Sequence, residues 1–472
     1  MASPYLGTMP TSSESPSFHA ATADATYARI GWRLLPLLFL CYIVAYLDRV
    51  NVGFAKLQMV TELQWSDAMY GFGAGIFFIG YFLFEVPSNL LLERAGARRW
   101  IARIMITWAL VSGAFAFVDV LPWGPLPALF GLPRAEFSFY ALRLLLGMAE
   151  AGFFPGIVLY LTYWFPSARR ARAFAKFMTA VAVANVLGAP ISGWIMDHFH
   201  GAGEWSGWRW LFVLESLPSL IMGLVVLLLL PNGPADAKWL RDEDRAQVLR
   251  DLEAERIGAN ASGSGAPSSA RAALLSGTVW ALAFVYFTMA VALYGVNFWM
   301  PTIIQELGLS KSDYLQIGLL TMIPWGVAGL SMLLWGAHSD RTGERRWHVT
   351  VSLVATAVGL SLLSITGTAV IPSLCALSLV AAGVLSSMST FWAIPTEYLR
   401  GTAAAAGIAW INSIGNLGGH FGPDLIGRVR TATGSSAAAF LTLAALGIAG
   451  AVVVALVAPP PPRTTSDHVL LE

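Results

Sequence analysis

ERAGARR, from Glu93 to Arg99, and DRTGERR, from Asp340 to Arg346, decide how this chain is folded. Each follows one long apolar stretch and precedes another, and both spell acid, arginine, any residue, glycine, any residue, two arginines. A basic loop alone would account for the arginines but not for the acid and glycine in register. The same turn at matching places in two halves predicts a chain built from two similar bundles. The glycine permits a tight turn, and the acid is placed to accept hydrogen bonds at a neighbouring helix N-terminus.

Outward from these loops, the sequence is that of a membrane protein. Of 472 residues, 56% are hydrophobic and 12% charged, against about 25% charged in a typical soluble domain. So few charges cannot keep a soluble surface wet, but a surface facing lipid needs none. A net charge of +1 removes the basic field of a nucleic-acid binder. Cys41 and Cys375 lie in apolar runs, which argues against a disulfide scaffold or a thiolate metal site.

Each crossing of about 30 Å of hydrocarbon takes roughly 20 apolar residues. Twelve transmembrane helices are expected, near 31–54, 68–91, 100–118, 138–163, 173–196 and 208–230, then 279–303, 314–337, 348–368, 371–395, 402–426 and 436–458. The expected plan is an all-α membrane protein of two pseudo-symmetric six-helix halves, 29–230 and 278–458. A disordered cytoplasmic tail (1–28), without Lys or Arg and so without a secretory n-region, precedes them. A linker (231–277) joins the halves, with a surface helix from Lys238 and a Gly/Ser-rich second part, and a second cytoplasmic tail (459–472) follows them. With both termini inside, cytoplasmic segments hold 21 of the 29 Lys and Arg and the opposite side holds six. Arg49 and Arg143 are left inside the membrane.

These features resemble a known family. The paired loops are similar to the cytoplasmic signature of the major facilitator superfamily, and RLLLGMAEAG from Arg143 to its fourth-helix motif. YLDRVNVGFA from Tyr46, YFLFEVPSNLLLERAGARRWIARIM from Tyr81 and GTAAAAGIAWINSIGNLGG from Gly401 resemble the anion:cation symporter family within it, including bacterial tartrate, sugar-acid and aromatic-acid permeases. The likeness runs from about Tyr27 to Ala458. Glu93 stands where the superfamily usually has Asp, and His420 and Glu397 stand where neutral residues are expected. The resemblance implies that Arg49 binds a substrate carboxylate, that Asp48 is protonated, and that Glu150 is the proton-coupling acid. It also implies a major facilitator fold in the inner membrane.

The ionisable residues carry their own argument, because a charge at the centre of a membrane helix costs roughly 2.5–3.5 kcal/mol on insertion scales. Asp48 and Arg49 are about 100° apart on a helix, so they need not pair. They mark either a wetted helix end or a cavity, and the apolar run through Val50, Val52, Phe54 and Ala55 favours the cavity. A guanidinium fork suits a carboxylate and keeps its charge. Glu150 falls near mid-membrane, with Arg143 two turns back on the same face. It is either Arg143's structural partner or a carboxyl that exchanges a proton beside Arg49. Glu85 and Glu215 each stand near a proline whose freed backbone amides offer a structural partner. Tyr46, Tyr81, Tyr294, Asn297, Trp392, Asn412 and Asn416 are candidate substrate contacts. Asn412 and Asn416 share one helical face amid Gly415, Gly418 and Gly419. His420 and Asp424 are placed to pair. Glu93, Arg94, Gly96, Arg143, Asp340, Arg341 and Gly343 are candidate gating and structural residues.

No catalytic motif, cofactor loop or metal-ligand spacing is present, so the expectation is a transporter and not an enzyme. Its expected partners are a small organic anion, protons and the lipid bilayer, with no nucleic acid, and the monomer is the expected working unit. A partial antiporter-like signature, GAPISG from Gly188, keeps an antiporter or exporter as the alternative, and a non-transporting membrane sensor is the alternative from another class.

Overall fold

The computed structural model of the chain describes residues 16–261, 274–310, 312–398 and 401–457. The expectations for residues 1–15, the Gly/Ser-rich part of the linker, Lys311, Arg400, the second tail with Arg463, and the side chain of Glu397 lie outside what it describes. In lipid, every backbone polar group needs a partner within the protein, so an apolar run of this length becomes a helix. The N-terminal half contains α1 (Pro16–Glu62), α2 (Asp67–Ala95), α3 (Ala97–Ala114), α4 (Arg134–Glu150), α5 (Phe153–Thr162), α6 (Ser167–His198) and α7 (Gly207–Leu229). A linker helix, α8 (Asp242–Ala261), follows. The C-terminal half contains α9 (Gly277–Gln305), α10 (Tyr314–Thr342), α11 (Arg346–Thr366), α12 (Val370–Phe391), α13 (Gly401–Asn416), α14 (Gly418–Thr433) and α15 (Ala437–Val457).

Among the described residues, eleven stretches are long and apolar enough to cross a membrane, and the α13–α14 pair supplies a twelfth as two short pieces. Leu83, Leu90, Leu110, Leu228, Leu334 and Leu456 are exposed on the outside of the bundle. A lipid-facing surface tolerates this and a wetted one does not.

Three local departures from the sequence reading matter for function. The first helix does not end at Asp48 and Arg49 but continues to Glu62, so the pair sits inside the bundle and is not a wetted helix end. It also begins at Pro16, within the stretch expected to be a disordered tail. Thr26 and Arg29 bind Asp244 of α8 at 2.6 and 2.8 Å, which ties the linker helix to the N-terminal half. The fourth span, expected to be continuous over 138–163, breaks directly after Glu150. Ala151 turns to an extended ψ of 130° and Gly152 takes a φ of +86°, a conformation that favours glycine.

Glycine also sets how closely helices approach. A Cβ on Gly147 would fall on the carbonyl oxygen of Phe77, and one on Gly80 on that of Leu144. The backbones of α2 and α4 are therefore in contact. Packing of this kind holds membrane helices together, since apolar burial no longer distinguishes protein from lipid. Gly147→Val should lower the melting temperature by forcing this seam apart, at a cost of ~1–3 kcal/mol or more. An unchanged melting curve would remove the close approach.

Both repeated loops turn on a glycine with positive φ, 84° at Gly96 and 66° at Gly343. The acids that open the motif do not cap the next helix. Asn232 accepts from the Arg98 amide at 3.1 Å in the first loop, and Glu344 accepts from the Trp347 amide at 2.7 Å in the second. Asp340 instead pairs with Arg345 at 2.7 Å, while Glu93, Arg94 and Arg341 are exposed.

Candidate functional site

Arg49 projects from the second half of α1 toward the boundary between the halves. Its Nε donates to Oε1 of Glu150 at 2.7 Å, and its Nη2 donates to the same oxygen. Glu150 is the last residue of α4, where unsatisfied helix carbonyls gather the negative end of the helix dipole. A carboxylate there is disfavoured unless a cation offsets it, and Arg49 is that cation. The guanidinium carbon lies 5.3, 5.6 and 5.8 Å from the ring centres of Tyr46, Phe77 and Tyr81, within cation–π range. Arg49 keeps 14% of its side chain exposed while Glu150 keeps 3%, so the arginine is the member of the pair that a solute can reach.

The C-terminal half closes the other side of this cluster. The Tyr294 ring centre is 4.3 Å from that of Phe78 on α2, the neighbour in sequence of the Phe77 that lies beside Arg49. Tyr286, two turns earlier on α9, stacks on Phe391 with ring centres 5.6 Å apart. The Trp392 ring meets Tyr286 edge-on at 4.9 Å. Asn297 is buried with its Oδ1 unpartnered, and Asn416 lies half-buried at the end of α13. Tyr286 escaped the sequence reading because nothing local separates it from the other aromatic residues of an apolar helix.

Other candidates are placed differently from the expectation. Asp48 turns away from Arg49 into the interior of the N-terminal half. There it accepts from Trp108 Nε1, Ser112 Oγ and Ser219 Oγ at 2.7, 2.8 and 2.7 Å. Arg143 does not pair with Glu150: its Nη2 donates to the Ala74 carbonyl at 2.6 Å, with the guanidinium over Phe77. The direct ion pair of Arg143 with Glu150, one of the two expectations for this acid, does not form. Glu85 and Glu215 take no freed backbone amides. Glu215 accepts from Ser192 Oγ at 2.7 Å, and Glu85 accepts from Asn412 and Ser413. Asp424 pairs with Arg428 at 2.8 Å and not with His420, whose Nδ1 is unpartnered.

Bonds between the halves gather at the end away from the ERAGARR and DRTGERR loops. Lys56 on α1 pairs with Asp67 at 3.0 Å and donates to Thr302 at 3.2 Å. Arg430 on α14 pairs with Asp67 at 3.0 Å and with Glu306 at 2.5 Å. Trp299 of α9 lies between the two cations, at 4.3 Å from Lys56 and 5.2 Å from Arg430. Beside them Tyr70 donates to the Phe298 carbonyl at 3.3 Å. Asp197 of α6 accepts from the Tyr314 and Leu315 amides at the start of α10, at 3.0 and 2.5 Å. GAPISG joins this seam, because Gly193 packs on the Tyr314 carbonyl and Gly318 on that of Ala189. Sequence reading counted Lys56 and Arg430 only as loop charges. The signal was an acid at each facing helix end, Asp67 and Glu306.

This clasp predicts a state change. Asp67→Asn removes the charge that Lys56 and Arg430 share, so the halves should part at this end. Labelling of a Thr302→Cys variant by a thiol reagent should then rise severalfold, and equal labelling with and without Asp67→Asn would sink the assignment.

Two six-helix halves meeting around a membrane-centred cluster are also what comparison with known proteins finds. The sequence profile of the Major Facilitator Superfamily matches residues 38–423. The chain belongs to this superfamily. A protein of Agrobacterium vitis named for tartrate transport is 48% identical over 90% of this chain and 93% of its own length. NicT of Pseudomonas putida, named as a metabolite transport protein, is 44% identical over 89% of this chain and 91% of its own. A quinolone resistance transporter of Acinetobacter baumannii is 38% identical over 90% and 93%. Among solved structures, the inward open xylose transporter XylE of E. coli superposes with a TM-score of 0.70 at 15% identity, over 93% of this chain and 98% of that one. At that identity the likeness shows the fold alone. As a member of the superfamily, the chain is an integral membrane transporter.

Proposed function

We propose that this transporter is a secondary active carrier that takes up a small organic anion together with one or more protons. The substrate is a carboxylate of the sugar-acid, dicarboxylic or aromatic class. The observation that carries the reading is the Arg49–Glu150 pair: a permanent cation, the more exposed member of the pair, held by a carboxylate that a substrate carboxylate can replace. Protonation of Glu150 frees the fork, and an arriving anion keeps Arg49 paired, so proton and substrate load together. Asp48, buried among neutral donors, is the second proton-exchanging acid. Tyr46, Tyr81, Tyr294, Asn297, Trp392, Asn412 and Asn416 close around the rest of the solute. The relatives named for tartrate and metabolite transport support a small metabolite of this kind.

In this reading the chain lies in the inner membrane with both termini and the two Arg/Gly loops in the cytoplasm. The closed end is then extracellular, and the structure is an inward-facing state. The halves, 29–230 and 278–458, rock about the central cluster. Glu93, Arg94 and Gly96, with Asp340, Arg341 and Gly343, restrain them when the cytoplasmic end closes. No cofactor is needed, and the monomer suffices.

The experiment is uptake into liposomes of the purified protein, with an acid chosen by a melting-shift screen of L-tartrate, D-gluconate and benzoate. Each unit of inside-alkaline pH gradient supplies about 1.4 kcal/mol per proton, a tenfold accumulation. Accumulation that an ionophore abolishes is expected. Uptake that only equilibrates would remove proton coupling. The quinolone-resistance relative keeps export as a second reading, and its signature in the same liposomes is proton-driven quinolone movement in the opposite sense.

A further inference from the structure

Glu85 is a buried acid at the boundary between the halves that the reading above leaves without a task. It lies one turn beyond Tyr81 on α2, and Tyr81 is one of the rings over Arg49. Its Oε1 accepts from Asn412 Nδ2 at 2.7 Å and its Oε2 from Ser413 Oγ at 3.2 Å. Both donors belong to α13 in the opposite half. With Tyr81 over Arg49 one turn away on the same helix, Glu85 stands at the same boundary between the halves as the arginine. Two neutral donors are poor compensation for a buried carboxylate, but they are the donors a hydroxylated or dicarboxylic solute would use.

The cavity therefore shows one arrangement twice. On the N-terminal wall the donor Arg49 is occupied by the internal carboxylate of Glu150. On the C-terminal wall the donors Asn412 and Ser413 are occupied by the internal carboxylate of Glu85. α13 ends at Asn416, where the span breaks before α14, so this donor pair rides on a short segment.

Building on the carboxylate reading above, we propose that Glu85 is an internal stand-in for the far end of the substrate. Its carboxylate holds Asn412 and Ser413 in the empty cavity, yields them to a hydroxyl or carboxylate at the distal end of the bound anion, and retakes them when the anion leaves. Glu85 thus selects acids that carry a distal hydrogen-bond acceptor, and it promotes release.

The test is affinity and turnover of Glu85→Gln in the full-length protein, with L-tartrate, D-gluconate and benzoate as probes. A weakened competitor should tighten tartrate or gluconate binding about fivefold, equivalent to about 1 kcal/mol, and leave benzoate unchanged. The maximal uptake rate should fall because release slows. Asn412→Leu should weaken binding, and Glu85→Gln in that background should bring no gain, since the pair acts as a unit. Glu85→Asp, which draws the carboxylate back from Asn412, should shift affinity in the same direction and covers the case of a Gln variant that fails to fold. A strut role predicts the opposite: a lower melting temperature with affinity unchanged or weaker, which overturns the proposal. Wild-type binding of benzoate alone also overturns it, while leaving the carboxylate reading intact. If none of the acids binds the wild-type protein, both fall together.

Discussion

Glu150→Gln is expected to bind substrate and to exchange labelled for unlabelled substrate across the bilayer, yet to lose accumulation against a gradient. The amide mimics the protonated carboxyl permanently. Exchange needs no net proton movement, so it survives, while uphill uptake needs Glu150 to gain and lose a proton in every cycle. The expected effect is the whole of the gradient-driven signal, tenfold per pH unit for each coupled proton. Binding should strengthen as well, because the fork of Arg49 no longer has an ionised internal partner. Breaking a buried ion pair costs ~3–5 kcal/mol when the remaining charge is sealed from water. Arg49 is not sealed, so the variant should express and melt near the wild type. Arg143, the other arginine near this carboxyl, keeps its hydrogen bond to the Ala74 carbonyl. The deciding measurement is the ratio of exchange to gradient-driven uptake at matched protein content. A stable Glu150→Gln protein that still accumulates substrate would end the coupling role.

Arg49→Lys is expected to reduce substrate affinity well over tenfold while leaving insertion and folding normal. The charge is conserved, so the cost comes from geometry. Arg49 presents Nε and Nη2 along one edge, and a planar fork of this kind meets a carboxylate with two aligned bonds where an ammonium offers a point charge. The broad guanidinium also rests among the rings of Tyr46, Phe77 and Tyr81, which the compact head of lysine would not fill. More than tenfold corresponds to more than about 1.4 kcal/mol. Dissociation constants from the melting-shift titration would show it directly, and wild-type uptake kinetics in Arg49→Lys would take Arg49 out of the site.

How much of the site was legible depends on whether a residue's partner is set locally. Arg49 and Glu150 stood out because a charge in an apolar run is costly and seldom idle. Their mutual contact was less plain, because Arg143 shares a helical face with Glu150 and is the nearer partner along the chain. The break after Glu150 decides it, since α4 ends there and the carboxyl is presented to α1. Asp48 shows the same limit. Its adjacency to Arg49 suggested a shared cavity, but 100° of helical rotation sends it to Trp108, Ser112 and Ser219 and the arginine to Glu150. The Lys56–Asp67–Arg430–Glu306 clasp joins the two halves across long stretches of sequence, so the acids at the helix ends could not be matched to their cations from the chain alone.

Sequence by itself determined that the chain crosses a membrane about twelve times, as two related halves joined by a linker. Those properties rest on apolar length, charge asymmetry and an internal repeat, all local or additive along the chain. It also determined which charges needed an explanation, because the penalty for each is paid within its own span. Only the tertiary structure decided which carboxylate each donor holds: Glu150 on Arg49, Glu85 on Asn412 and Ser413, Asp67 on Lys56 and Arg430. A side chain's partner depends on where helices cross and which way a broken helix turns. Those crossings are fixed by close contacts such as Gly147 on Phe77 and Gly193 on Tyr314, between residues far apart in the chain.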